Sequence, residues 1–122
     1  MADLARALAE RELGALYRTH AKFLEGEEQT GKYRQARAAF ERALETSHEV
    51  KDLHTQAQAL LDLLVIGYLE RREVDAVYAE QLRELLARYD YAIIGALLAF
   101  VIWGWKNPER FYVLSWKINS GK

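Results

Sequence analysis

Few residues in this chain are equipped for acid–base or metal chemistry. His20, His48 and His54 are its only histidines. The six-residue step from His48 to His54 puts them on different sides of a helix, where they cannot share a metal ion. His20 keeps step with a row of apolar residues and is expected to be packed and hydrogen-bonded rather than to act as a base. The chain has no cysteine, which excludes a thiolate nucleophile, a disulfide and a cysteine-ligated metal. It carries no phosphate-cradling glycine loop, nucleophile elbow or metalloprotease helix motif. No catalytic set emerges, no cofactor or metal is expected, and the chain is not expected to be an enzyme.

Two groups of residues point to recognition instead. Asp62 interrupts the run Leu60-Leu61-Asp62-Leu63-Leu64-Val65-Ile66, where a buried carboxylate needs a partner. Either Asp62 faces a solvated strip of its helix, or it makes a specificity contact with an arginine on another helix or chain. Near the C-terminal end, Lys106, Arg110, Tyr112, Trp116, Lys117 and Lys122 interleave cations with aromatic rings. Lys106, Arg110 and Lys117 are candidates for a nucleic-acid backbone, with the rings stacking on bases. The simpler alternative is a solvated tail with buried rings. A second basic set, Lys32, Arg34, Arg37 and Arg42, is diluted by Glu41 and Glu45.

The elements that must position these residues read as helices. At 122 residues with no glycine- or proline-rich linker, the chain fits one domain. About half of it is apolar (51%) and its net charge is −1, so it can build a core and has no global attraction for nucleic acid or anionic lipid. A first helix over residues 2–25 places Leu13, Leu16, Tyr17, His20, Phe23 and Leu24 on one face. Leu4 and Leu8 fall off that stripe, as a frayed first turn or as a surface covered by another chain. Residues 26–31 read as a polar loop with Thr30 as an N-cap. A second helix carries Tyr33, Ala36, Phe40, Ala43 and Leu44. Ser47 reads as the cap of a third, with Val50, Leu53, Ala57, Leu60, Leu64 and Tyr68 on one side. Residues 60–69 are apolar almost all round, which only a central helix can bury.

After the polar break Glu70-Arg71-Arg72-Glu73, a fourth helix carries Val74, Val77, Tyr78, Leu82, Leu85, Leu86 and Tyr89. Asp90 is suited to cap a fifth. Residues 91–105 contain no charge, yet at about 1.5 Å each they span roughly 22 Å, short of the ~30 Å hydrocarbon core of a bilayer. They read as a buried helix. Asn107-Pro108 ends the helical pattern. Beyond it Tyr112, Leu114, Trp116 and Ile118 alternate with other residues at strand period, forming an arm that packs on the bundle or joins another chain's sheet edge. The expected fold is all-α: a four- to five-helix bundle over residues 1–106 with an extended C-terminal arm, residues 107–122, in the same domain.

The residues Leu13-Gly14-x-x-Tyr17 and Gly31-x-Tyr33-x-x-Ala36-x-x-x-Phe40-x-x-Ala43-Leu44 resemble the two helices of a tetratricopeptide repeat. The resemblance covers about a third of the chain. It implies a helical hairpin with interlocking small and aromatic residues, used for binding proteins. Roughly ten extra residues separate the two halves, and His48 stands where the repeat carries its late proline.

Two apolar stretches, residues 60–69 and 91–105, exceed what a monomer of this length can bury on every side. The expected function is that of a non-enzymatic helical accessory or scaffold subunit acting through protein–protein contacts, including a homo-oligomer. Asp62, Tyr112, Leu114, Trp116 and Ile118 are its candidate partner-binding residues. A helical subunit of a nucleoprotein complex, of the size and class of the small subunits of CRISPR effector complexes, is the second reading. A peripheral membrane protein anchored through residues 91–105 is the third. The start Met1-Ala2-Asp3-Leu4-Ala5-Arg6 lacks an apolar signal core, and with the absence of cysteine this points to the cytoplasm.

Overall fold

Asp3 begins the first helix by accepting a hydrogen bond from the backbone N–H of Arg6 at 2.7 Å, which satisfies one of the donors that a helix start leaves open. The computed structural model describes residues 3–88. They form four helices in sequence, α1 Leu4–Ala21, α2 Gly26–Glu49, α3 Leu53–Arg71 and α4 Ala76–Arg88, with no strand among the described residues. The expected fifth helix, the uncharged stretch 91–105 and the C-terminal arm 107–122 lie outside the described residues.

The connections depart from the expected ones. Residues 26–31 are not a loop, because α2 begins at Gly26. That glycine takes the left-handed conformation, φ +61°, which costs it nothing. Glu27 and Glu28 occupy the first turn of α2, where carboxylates meet the positive end of the helix dipole. Gln29 donates from Nε2 to the carbonyl of Ala21 at 2.9 Å and ties the start of α2 to the end of α1. Thr30 is not a cap; its hydroxyl donates to the carbonyl of Gly26. The extra residues relative to a tetratricopeptide repeat are absorbed by longer helices.

Ser47 does not start α3 either. It is buried inside α2 and donates to the carbonyl of Leu44 at 2.7 Å, a local bond available to a serine within a helix. The cap is Asp52, whose carboxylate accepts from the N–H of Thr55 at 2.9 Å. Lys51 (φ 57°) before α3 and Arg72 (φ 58°) after it both take the left-handed conformation. The Arg72 N–H closes α3 on the carbonyl of Tyr68 at 2.9 Å, and its guanidinium lies over the Tyr68 ring, 5.9 Å from the centroid. Asp75 caps α4 by accepting from Val77 and Tyr78 N–H groups.

Helix α3 is the centre of the fold, packed against α1, α2 and α4. Leu60, Leu61, Leu63, Leu64, Val65 and Ile66 are all buried, as expected of a helix apolar all round. From α2, the expected stripe of Ala36, Phe40, Ala43 and Leu44 is buried, with Tyr33 half-buried beside it. Ala79 and Leu82 of α4 join the same core, while Val77, expected on that stripe, is exposed.

Helix α1 turns the opposite way from its apolar period. Its buried residues are Ala7, Gly14 and Ala21, one small residue every seven. Leu16 is 65% exposed, Phe23 is 81% exposed, and Leu4, Leu8 and Leu13 are also exposed. His20 is exposed as well, which corrects its expected place in the core. The reason is steric. A Cβ at Gly14 would stand 2.5 Å from the ring of Phe40, so α1 approaches α2 closely only along its small-residue side.

Gly14→Ala is therefore expected to destabilise the fold by about 1–3 kcal/mol despite alanine's better helix propensity, because the fully buried ring cannot yield. Urea unfolding reads this as a lower midpoint at unchanged slope. Adding Phe40→Leu is expected to recover part of the loss, as neighbouring sites couple.

Candidate functional site

Arg11 and Arg18 stand seven residues apart on α1, and Gln58 and Asp62 four apart on α3, so each pair shares a helix face. The two faces meet. Arg11 donates from Nε to Asp62 Oδ2 at 2.7 Å and from Nη1 to Gln58 Oε1 at 2.9 Å. Arg18 Nη1 lies 3.8 Å from Asp62 Oδ1, and its guanidinium sits over the Phe40 ring, 5.9 Å from the centroid. Burial pushes the Asp62 carboxyl above its ordinary value, Arg11 and Arg18 pull it back, and the nearby Glu12 pushes it up. Of the two expected placements for Asp62, the structure realises the contact with arginines on another helix, within the same chain.

Further polar links surround this pair. The Thr46 hydroxyl of α2 donates to Glu10 Oε1 at 3.2 Å, and the same carboxylate receives Arg6 Nε at 2.9 Å. On the other side of α2, Arg37 Nη1 pairs with Glu70 Oε1 of α3 at 2.7 Å. The inward side of α1 is thus small and charged, held by guanidiniums and carboxylates as much as by apolar packing.

The opposite side of α1 carries several exposed apolar side chains. At 100° per residue, Leu8, Leu13 and Leu16 fall on the half of α1 that faces away from Ala7, Gly14 and Ala21, together with Glu12, Thr19 and His20, and Phe23 follows in the turn after the helix; all of them are exposed. Its apolar side chains can exclude water from an apolar partner.

The remaining candidates are dispersed. Tyr112, Leu114, Trp116, Ile118, Lys106, Arg110 and Lys117 lie outside the described residues. His48 and His54 are exposed, and no cluster of three or more metal-ligating side chains exists among the described residues. In the second basic set, Arg37 is engaged with Glu41 and Glu70, and Lys32 lies over the Tyr17 ring, 5.4 Å from the centroid. No helix among the described residues is long and apolar enough to cross a membrane. Arg11, Arg18 and Gln58 were not singled out from the sequence. The signal that marks them is the seven-residue step of Ala7, Gly14 and Ala21, which identifies the close-packed side and places Arg11 and Arg18 beside it. Compared with protein-family models, with curated proteins and with solved structures, the chain matches none.

Asp62→Ala is expected to cost about 2–4 kcal/mol in thermal or urea unfolding, because Arg11 then keeps its desolvation without its counter-charge. The pH response has a defined sign. Since the folded-state value of Asp62 is raised above 3.8, the folded chain holds that proton to higher pH than the unfolded chain does. This contribution to stability is full below the unfolded value and is lost as pH rises through the folded one. The stability of the wild type relative to Asp62→Asn is accordingly expected to fall as pH rises from about 3.8, and a difference independent of pH would contradict the assignment.

Proposed function

We propose that this protein is a non-enzymatic helical accessory or scaffold subunit of a multi-subunit assembly in the cytoplasm, and that it makes its protein–protein contacts through the outward face of α1. The observation that carries this reading is the inversion of α1, which buries Ala7, Gly14 and Ala21 while Leu16 and Phe23 stand in solvent. Single exposed leucines are ordinary, but several exposed apolar residues gathered on one side of a helix mark an interaction surface. A protein with no use for that face gains solubility by replacing those residues with charged ones at no cost to the core, since none of them is part of it.

The arginines of α1 and α2 nearest the core support protein contact over nucleic-acid contact. Arg11, Arg18 and Arg37 are already in ion pairs with Asp62, Glu41 and Glu70, so binding phosphate would require breaking them.

Native mass measurement of the protein isolated from its own source is expected to give a complex heavier than one chain. Leu16→Glu with Phe23→Glu is expected to weaken that complex about 30-fold or more, the loss typical of two central contact residues. The unfolding midpoint is expected to stay put, because both side chains are solvent-exposed. A lone, monomeric protein of unchanged mass would remove this reading.

A further inference from the structure

We infer that α1 opens as a unit from a core formed by α2, α3 and α4, with Arg11 and Arg18 over Asp62 as its catch. The inference concerns the chain alone and does not rest on the partner contacts proposed for the outer side of α1.

The described core is built almost without α1. Its largest fully buried side chains, Phe40, Leu60, Leu63, Leu64 and Ile66 among them, belong to α2 and α3. Ala79 and Leu82 of α4 join the same cluster, whereas α1 brings only the half-buried ring of Tyr17 to its edge. Ala7, Gly14 and Ala21 are buried on α1. Side chains of that size remove little apolar area from water, and apolar stabilisation scales with the area removed.

Polar contacts hold α1 instead. Arg11 reaches Asp62 and Gln58, Arg18 lies 3.8 Å from Asp62, and the Thr46 hydroxyl donates to Glu10. Water replaces such hydrogen bonds at small net cost once both partners are free. Opening must also uncover the side of Phe40 that meets Gly14, which keeps the closed form the favoured one. Among the described residues α1 joins the other helices only through residues 22–25, so it can leave without breaking the backbone ladder of α2, α3 or α4. An element with few buried apolar contacts opens while the rest stays folded.

Native-state amide hydrogen exchange of the purified full chain tests this, read helix by helix where closing outpaces exchange. An 18-residue helix that has left its packing is marginal in water, so its amides exchange on release. The slowest amides of α1 are expected to be about 30-fold or more less protected than the slowest of α3. Leu64 follows Asp62 by two residues and so stands on the side of α3 away from α1. Leu64→Val weakens the closed and opened forms alike, so it is expected to lower α3 protection about fivefold or more and to leave α1 protection unchanged. Leu82→Val in α4 repeats the measurement in case the first substitution disturbs packing. Arg11→Ala weakens only the closed form, and is expected to lower α1 and α3 protection by the same factor and preserve the gap between them.

Equal protection of α1 and α3 in the wild type overturns the inference, since the helices then open only together. Core substitutions that lower α1 protection along with that of α3 overturn it as well. An Arg11→Ala chain whose α1 amides are as protected as those of the wild type removes the arginines as the catch.

Discussion

The seat of the Phe40 ring against Gly14 decides how the rest of this fold is arranged. Phe40 is fully buried, and the space a Cβ at Gly14 would need is filled by its ring. With that contact fixed, Ala7 and Ala21 follow at seven-residue steps on the same side of α1, and the backbone of α1 lies close along α2. The positions of Arg11 and Arg18 follow too. They flank the small stripe and are brought over Asp62 and Gln58 of α3. A single small–large fit between α1 and α2 therefore decides which side of α1 faces α2 and α3.

The polar contacts make the register of α1 unique. Small side chains slide past one another easily, and alanine and glycine alone would leave α1 several near-equivalent positions. A carboxylate nearly out of solvent removes that freedom, because any shift of a turn leaves Asp62 without a guanidinium and costs several kcal/mol. Thr46 and Glu10 repeat the constraint between α2 and α1, as Arg37 and Glu70 do between α2 and α3. The chain uses charge for register and apolar area for cohesion.

What could be read from the sequence follows this division. Helices α2 and α3 were legible because their apolar residues face the core: the stripe through Ala36, Phe40 and Ala43, and the all-round apolar run of α3 that requires a central place. The interlock of small and aromatic residues implied by the tetratricopeptide resemblance is present at Gly14 and Phe40. Helix α1 was misjudged because hydrophobic period predicts burial only where the core is what apolar residues serve. Leu13 and Leu16 keep a helical period and face outward, and Phe23 stands exposed in the turn after the helix, whereas the informative residues were the small ones. The caps at Thr30 and Ser47 were misplaced for a local reason. Each hydroxyl finds a helix carbonyl three or four residues back, so neither residue is needed to end a helix. Asp62 was recognised as a residue in need of a partner, but which arginines answer it depends on a fold contact 44 and 51 positions away in sequence.

The orientation of α1 can be tested against its alternative by elementary energetics. Turning it about its axis by roughly 180° would bury Leu8, Leu13 and Leu16, at a gain of about 1 kcal/mol or more for each half-exposed side chain. The same turn would lift Gly14 from Phe40, push leucines into the space the ring now fills, and take Arg11 and Arg18 away from Asp62. Overpacking costs about 1–3 kcal/mol at one site and an unpaired buried carboxylate several more, so steric fit and charge pairing together hold the apolar face outward. A sequence under selection only for the stability of an isolated bundle resolves such a conflict by exchanging the outward leucines and Phe23 for polar residues. This chain keeps them. Local rules are broken in that way where a surface has a further use, which is the role proposed for the outer side of α1.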